Sequence, residues 1–233
     1  AITVSPMLMT VLASPQPEMH QVAVRNTGHQ VAYIKVELDE VKSPGTAHYQ
    51  LIPFDHQDPY QFGIAVTPDK LILQPGERTF VRLVNLVQHT STDKVYLVKF
   101  VPEQPLLGSL DGSDHQVHVG IRVIMAYAVT LVIRPVVPKP QLALTLREGV
   151  LTVQNTGNTM VRVYAVYTCK NSSIPLDQCA KIANPIGFVY PGVTKTETLP
   201  SASVGQVRIQ QTVLGTYSIV STPTSSDIKL QKA

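Results

Sequence analysis

Between Val117 and Ile133 every second residue is apolar: Val117, Val119, Ile121, Val123, Met125, Tyr127, Val129, Leu131 and Ile133. A period of two belongs to a β-strand with one apolar face, so the pattern predicts one strand over the whole run. The usual strand has about five or six residues, and this run is far longer. Its other face is mixed, with His118, Gly120, Arg122, Ala126, Ala128 and Thr130. The run stops at Arg134-Pro135, because proline has no N–H to donate and restricts the residue before it. Such a strand carries more apolar face than one small domain needs. Something else is expected to pack or pair there.

The rest of the chain reads as short strands cut by proline and glycine. Ile2–Leu12 is apolar but broken by Pro6, which predicts an edge or switching strand. Met19–Arg25 and Val31–Val41 are predicted strands joined through Asn26-Thr27-Gly28, where Asn and Gly tolerate positive φ. Tyr49–Pro68 reads as irregular. Lys70–Leu73, Arg78–Val87 and Lys94–Val101 are further strands, and Pro102–Asp114 reads as a loop into the long strand. No stretch holds a helical period. Seven or so short strands predict a β-sandwich over residues 1–134.

The prolines of Arg134-Pro135-Val136-Val137-Pro138-Lys139-Pro140 make residues 135–140 a stiff linker. Residues 141–233 then repeat the first half in outline. Val24-Arg25-Asn26-Thr27-Gly28 returns as Val153-Gln154-Asn155-Thr156-Gly157, and Pro75-Gly76 returns as Pro191-Gly192. The fold class expected is all-β, with two immunoglobulin-like sandwiches.

Composition narrows the function classes. Hydrophobic residues make up 44% and charged ones 15%, which is too apolar for disorder. A net charge of +3 without any Lys/Arg run gives no nucleic-acid footprint. No apolar stretch reaches the roughly 18 residues of a membrane span, so no membrane insertion is expected. The chain opens at Ala1 on a strand-like segment, as a mature chain does after removal of a signal peptide. A trimmed chain would look the same. Cys169 and Cys179 flank a polar loop containing Pro175. That spacing allows a local disulfide in an oxidising compartment, or else two free buried thiols. With no CxxC or nearby histidine pair, no zinc site is expected. No GxSxG, phosphate loop or His/carboxylate grouping supports an enzyme, and no cofactor is implied.

Several stretches resemble the periplasmic chaperones of the fimbrial chaperone–usher pathway, the PapD-like proteins. They are Val4-Ser5, Leu73-Gln74-Pro75-Gly76-Glu77-Arg78-Thr79-Phe80-Val81-Arg82-Leu83, Val95-Tyr96-Leu97-Val98-Lys99-Phe100 and the long strand ending in Arg134-Pro135. The alternate, class 5 fimbrial branch is the nearer match. There Tyr33-Ile34-Lys35-Val36, Val66-Thr67-Pro68-Asp69-Lys70-Leu71-Ile72-Leu73 and Asn155-Thr156-Gly157-Asn158, with the paired cysteines, have counterparts. The resemblance implies that Val117, Val119, Ile121, Val123 and Met125 form a donor strand that fills the open groove of a fimbrial subunit, by β-augmentation. The Tyr127–Ile133 half would serve the protein's own core. The implied partners are fimbrial subunits, both the major pilin and a tip adhesin, and an outer-membrane usher. A self-capping homo-oligomer is also implied, with the periplasm as location.

The family's basic pair, which anchors the subunit's C-terminal carboxylate, falls on Thr10 and Thr130 here. A hydroxyl donates one hydrogen bond but brings no charge, so a neighbouring cation would have to supply it. Arg134 matches the family's arginine at the end of the long strand, which has a structural, interdomain role. Two other readings stay open. Met7-Leu8-Met9 with Met19-His20 is a copper-type donor set. Asn171-Ser172-Ser173 fits a glycosylation acceptor of a secreted adhesion module.

Overall fold

The computed structural model describes residues 1–103, 125–182, 186–200 and 205–223. The chain forms two compact units. Ala1–Lys42, Gln50–Thr90 and Lys94–Ile133 make the first; Ser43–Tyr49, Ser91–Asp93 and Arg134–Ala233 make the second. Each is an immunoglobulin-like β-sandwich, and the described residues are all-β apart from two short helical turns.

In chain order the first ten strands are β1 (Ile2–Ser5), β2 (Leu8–Leu12), β3 (Glu18–Asn26), β4 (Ala32–Lys42), β5 (Gln50–Pro53), β6 (Ile64–Thr67), β7 (Lys70–Leu73), β8 (Arg78–Asn85), β9 (Lys94–Glu103) and β10 (Tyr127–Arg134). One sheet runs β1-β3-β8-β6; the other runs β2-β10-β9-β4-β5, with β7 also paired to β4. Alternation decides which residues enter the core. Val22, Val24, Val81 and Leu83 come from the first sheet, and Ile34, Val36, Leu38, Tyr96, Val98, Phe100, Val129, Leu131 and Ile133 from the second. Burying a side chain of this size contributes about 1.5–3 kcal/mol. The Tyr96 hydroxyl, deep among them, donates to the Phe62 carbonyl at 2.6 Å.

Pro6 does split the first segment. β1 lies at the edge of one sheet and β2 at the edge of the other, so the chain switches sheets there. Three expectations need correction. Among the described residues ten strands precede residue 135 rather than seven or so, because even four-residue runs pair. Tyr49–Pro68 is not irregular: it holds β5, the helical turn α1 (Pro59–Phe62) and β6. Asp58 caps that turn by accepting the Tyr60 N–H at 3.0 Å. Asn26-Thr27-Gly28 is not a positive-φ turn either, since none of the three has positive φ. It carries the chain from one sheet to the other, and Gly28 is needed for space: a Cβ there would lie 2.7 Å from the Ala1 nitrogen.

Asn26 itself is fully buried. Its side-chain amide donates to the carbonyls of Gln30 (2.7 Å) and Leu73 (3.0 Å), and its Oδ1 accepts the Gly28 N–H (2.9 Å). Its backbone N–H donates to the Glu77 carbonyl and its carbonyl accepts the Gly76 N–H, both at 2.9 Å. The Gly76 turn requires positive φ (81°), which glycine adopts without strain.

The second unit repeats this arrangement. Its strands are β11 (Leu142–Arg147), β12 (Val150–Asn155), β13 (Val161–Cys169), β14 (Ala180–Lys181), β15 (Gly187–Val189), β16 (Thr194–Thr198), β17 (Gln206–Val213) and β18 (Thr216–Ser221). They form sheets β11-β12-β16 and β14-β13-β17-β18, with β15 also on β13. Asn155, 1% exposed, donates to the Thr159 and Val189 carbonyls at 2.8 Å and accepts the Gly157 N–H at 2.9 Å. Its backbone pairs with Val193 (3.0 Å) and Gly192 (2.9 Å). The repeat seen in the sequence is therefore a repeat of one hydrogen-bonded clamp. Cys169 and Cys179 form a disulfide, with Cα atoms 4.7 Å apart, from the end of β13 across the 3₁₀ turn Leu176–Gln178. The alternative of two free thiols falls. Closing this short loop contributes about 2–4 kcal/mol by restricting the unfolded chain.

Asn→Ala at position 26 or 155 leaves two carbonyls and one N–H unpaired, both carbonyls being buried at 155 and that of Gln30 partly buried at 26. At about 1–3 kcal/mol for each stranded group, either substitution should cost roughly 3 kcal/mol or more in urea unfolding. A loss below about 1 kcal/mol at both positions would show that water or local repacking replaces the clamp.

Candidate functional site

The long apolar stripe is traced within the described residues from Met125 onward. β10 lies antiparallel to β9, from Tyr127 opposite Phe100 to Ile133 opposite Lys94. Val129, Leu131 and Ile133 are at most 1% exposed and belong to the core; Tyr127 is half-buried against it. Met125, in phase with them, is 62% exposed. The stripe thus passes from buried to exposed along one face. The expected strand from Val117 is corrected at this end: Met125 and Ala126 precede β10 and are not in a strand. The reason is local, because the β9 register ends at Phe100 opposite Tyr127. Val117, Val119, Ile121 and Val123 lie outside the described residues.

The opposite face of β10 carries Ala128, Thr130 and Val132. Thr130 is half-buried, and its N–H donates to the Met7 carbonyl at 2.9 Å, at the start of the neighbouring β2. On β2, Met9 and Val11 pack against the core, so Thr10 points outward with Leu8 and Leu12. Thr10 and Thr130 therefore sit on adjacent strands and on the same outward face of one sheet.

Register places Lys99 of β9 opposite Ala128 on one side and Glu37 of β4 on the other. Lys99 Nζ lies 2.7 Å from Asp39 Oδ2 and 3.6 Å from Glu37 Oε2. Lys35 adds an ion pair to Glu37 at 3.1 Å. Asp39 is 3% exposed, and the Lys99 ammonium lies against its carboxylate. The hydrogen bond that Lys99 donates to Asp39 raises the Lys99 pKa, and the one that Lys35 donates to Glu37 lowers that of Glu37. Sequence alternation on β4 put Glu37 and Asp39 on one face with Lys35. It gave no sign of Lys99, because only strand pairing brings β9 alongside. Lys99, the cation beside Thr130's strand, is thus already engaged by two carboxylates.

Arg134 ends β10 and is 5% exposed. Its guanidinium donates to Thr159 Oγ1 at 2.7 Å and to the Met160 carbonyl at 3.2 Å. Asp93 Oδ2 accepts the Met160 N–H at 2.6 Å. Burial lowers the arginine's pKa, partly offset by the charge of Asp93. Of the copper-type donors, Met9 packs on the core, while Met7 and Met19 are 48% and 59% exposed. Among the described residues no three His, Cys, Asp or Glu side chains cluster as metal ligands. Asn171 lies in the disulfide loop, where its Oδ1 accepts the Ser173 N–H at 3.0 Å.

Comparison with known proteins fits this geometry. Residues 10–130 match the family described as the CS5 fimbrial protein N-terminal domain. A CS1 fimbrial subunit of Escherichia coli is 30% identical over 161 residues, which cover 69% of this chain and 66% of that protein. Among solved structures, the class 5 fimbriae chaperone CfaA superposes with a TM-score of 0.70 at 22% identity, over 96% of this chain and 99% of that one. A chain from a chaperone–tip adhesin complex of CFA/I fimbriae biogenesis gives a TM-score of 0.68 at 21% identity, over 97% and 100%. The fold is that of the fimbrial chaperones of the chaperone–usher pathway.

Burial raises the Asp93 carboxyl above the ordinary range, against the pull of the Met160 N–H, the Thr159 hydroxyl and the Arg134 charge. The folded chain therefore holds that proton more tightly than the unfolded one. Its contribution to stability falls as pH rises from about 4 through the raised folded value. Asp93→Asn removes this titration, so the variant's melting temperature should drop less than the parent's, or rise more, between about pH 4 and 7. Parallel melting profiles for the two would contradict a raised Asp93.

Proposed function

The chain belongs to the CS5 fimbrial protein family, and on that premise we propose that it is a periplasmic chaperone that captures fimbrial subunits by donor-strand complementation. The observation that carries the reading is the apolar stripe that is buried on β10 at Ile133, Leu131 and Val129 and is 62% exposed just before β10 at Met125. Upstream, Val123, Ile121, Val119 and Val117 continue it in phase. These five side chains enter the subunit's open groove while the strand's backbone pairs with the groove's edges. Full burial of each contributes about 1.5–3 kcal/mol, before the cost of association. The disulfide fits an oxidising compartment. Captured subunits, the major pilin and a tip adhesin among them, pass from here to an outer-membrane usher. Capture requires no bond-making chemistry by the chaperone, and in its free form the chain caps its own strand by self-association.

Thr10 and Thr130 are assigned the subunit's C-terminal carboxylate. Their shared outward face supports this, with the hydroxyls as donors. Arg134 is structural, since its guanidinium is buried and bound by Thr159 and Met160.

Ile121→Asp should leave the chaperone's melting temperature unchanged and abolish co-purification of fimbrial subunits from the periplasm. An unpaired carboxylate in the groove costs far more than one apolar contact gains. The double variant Thr10→Val/Thr130→Val keeps shape and removes both donors, and should weaken capture by about tenfold or more at the same melting temperature. If Ile121→Asp captures subunits as the parent does, the donor strand lies elsewhere. Undiminished capture by the threonine pair would move the anchor alone.

A further inference from the structure

The first sandwich turns a second sheet face outward, on β1-β3-β8-β6, the sheet that does not contain β10. Its central register sets Met19 opposite Val84, Gln21 opposite Arg82, Ala23 opposite Phe80 and Arg25 opposite Arg78. The residues between them, Val22, Val24 and Val81, fill the core at 0% exposure, so these side chains point the other way. Thr3 and Ser5 of β1 and Ala65 and Thr67 of β6 extend the same rows. No carboxylate occupies any of these positions.

Three arginines therefore share one face. Arg25, Arg78 and Arg82 are all exposed, and none of them forms an ion pair among the described residues. Arg25 and Arg78 stand directly opposite each other, and like charges in that position oppose folding. Beside them lies apolar surface: Phe80 is 46% exposed with the Arg78 guanidinium 5.0 Å over its ring, and Met19 is 59% exposed. An unneutralised cationic face with an apolar middle is complementary to an acidic one. Its composition separates a protein from a lipid surface. Arginine, aromatic residues and methionine are the types enriched at protein–protein interfaces, where lysine is depleted. These rows hold no lysine at all. The planar guanidinium also matches a carboxylate with two parallel hydrogen bonds, which an ammonium cannot do.

We propose that this face docks an acidic protein surface, whose Asp or Glu carboxylates pair with Arg25, Arg78 and Arg82 around an apolar contact with Phe80 and Met19. Because β10 belongs to the other sheet, a partner held here leaves that strand and its outward face open. The like-charge pair of Arg25 and Arg78 works against the free fold and is relieved when the partner's carboxylates arrive.

The probe is labelled poly(Glu,Tyr), an acidic polypeptide with aromatic side chains, titrated with the full chain at about 0.1 M salt and followed by anisotropy. The triple variant Arg25→Gln/Arg78→Gln/Arg82→Gln should lose about tenfold or more in affinity. Its melting temperature should hold or rise, because the repulsion is gone. A control removing the same charge from exposed sites of the second unit, Arg147→Gln/Lys170→Gln/Lys181→Gln, should keep the parent's affinity. The proposal is overturned if the parent does not bind, if the control loses as much as the triple variant, or if the triple variant melts lower than the parent. Binding of anionic phospholipid vesicles by a parent that ignores the polypeptide would equally overturn it and make the face a membrane contact.

Discussion

A sandwich has to pair the backbone groups left over where strands end and the chain crosses between sheets, because each one buried without a partner costs free energy. Here that constraint is met in each unit by a buried asparagine at the crossing, Asn26 and Asn155, and in the first unit also by Asn85, which donates to the Leu12 carbonyl and accepts the Val87 N–H. Asn26 and Asn155 each close the end of a strand, fix the following glycine through Oδ1, and hold a carbonyl next to a second element, Leu73 in one unit and Val189 in the other. The Pro-Gly turns dock on the backbone of the same two residues through Gly76 and Gly192. Glycine at 157 serves the same tight packing as at 28: a Cβ there would run into the Lys139 carbonyl. With the crossings pinned, alternation along the strands does the rest, sending one residue of each pair into the core.

Once the core side of each strand is fixed, β10 stands out. Its apolar phase does not end where the core ends. Ile133, Leu131 and Val129 are consumed inside the first sandwich, while Met125 on the same phase is left exposed. Apolar surface presented in strand phase suits a partner that offers both backbone pairing and a cavity. The subunit-capture reading follows from that demand together with family membership. It assigns different work to the two ends of one sequence run.

Much of this was legible in the sequence, and the failures have physical causes. The period of two located β3, β4, β8 and β9 to within a few residues and the C-terminal end of β10, though not its start, and Pro6 marked the change of sheet. The repeat of Val-x-Asn-Thr-Gly was visible too, but not its reason. Asn and Gly suggest positive φ, whereas these positions use the asparagine side chain and the room left by a missing Cβ. Tyr49–Pro68 misled because its prolines mask four-residue strands whose pairing comes from β4 and β8 rather than from local propensity. In the candidate site, the resemblance marked Thr10 and Thr130, and the pairing of β2 with β10 puts them on one face. The engagement of Lys99 by Asp39 and Glu37 was not legible, since it arises from register between strands far apart in sequence.

The central claim is that residues 117–125 become a strand of the captured subunit. Backbone hydrogen exchange over those residues tests it most directly, measured on the chaperone alone and in a purified complex with a fimbrial subunit. β-augmentation predicts that their amides become strongly protected on capture, while the amides of β1, β3 and β8 keep their rates. A stable complex in which residues 117–125 exchange as fast as in the free chain would contradict the account.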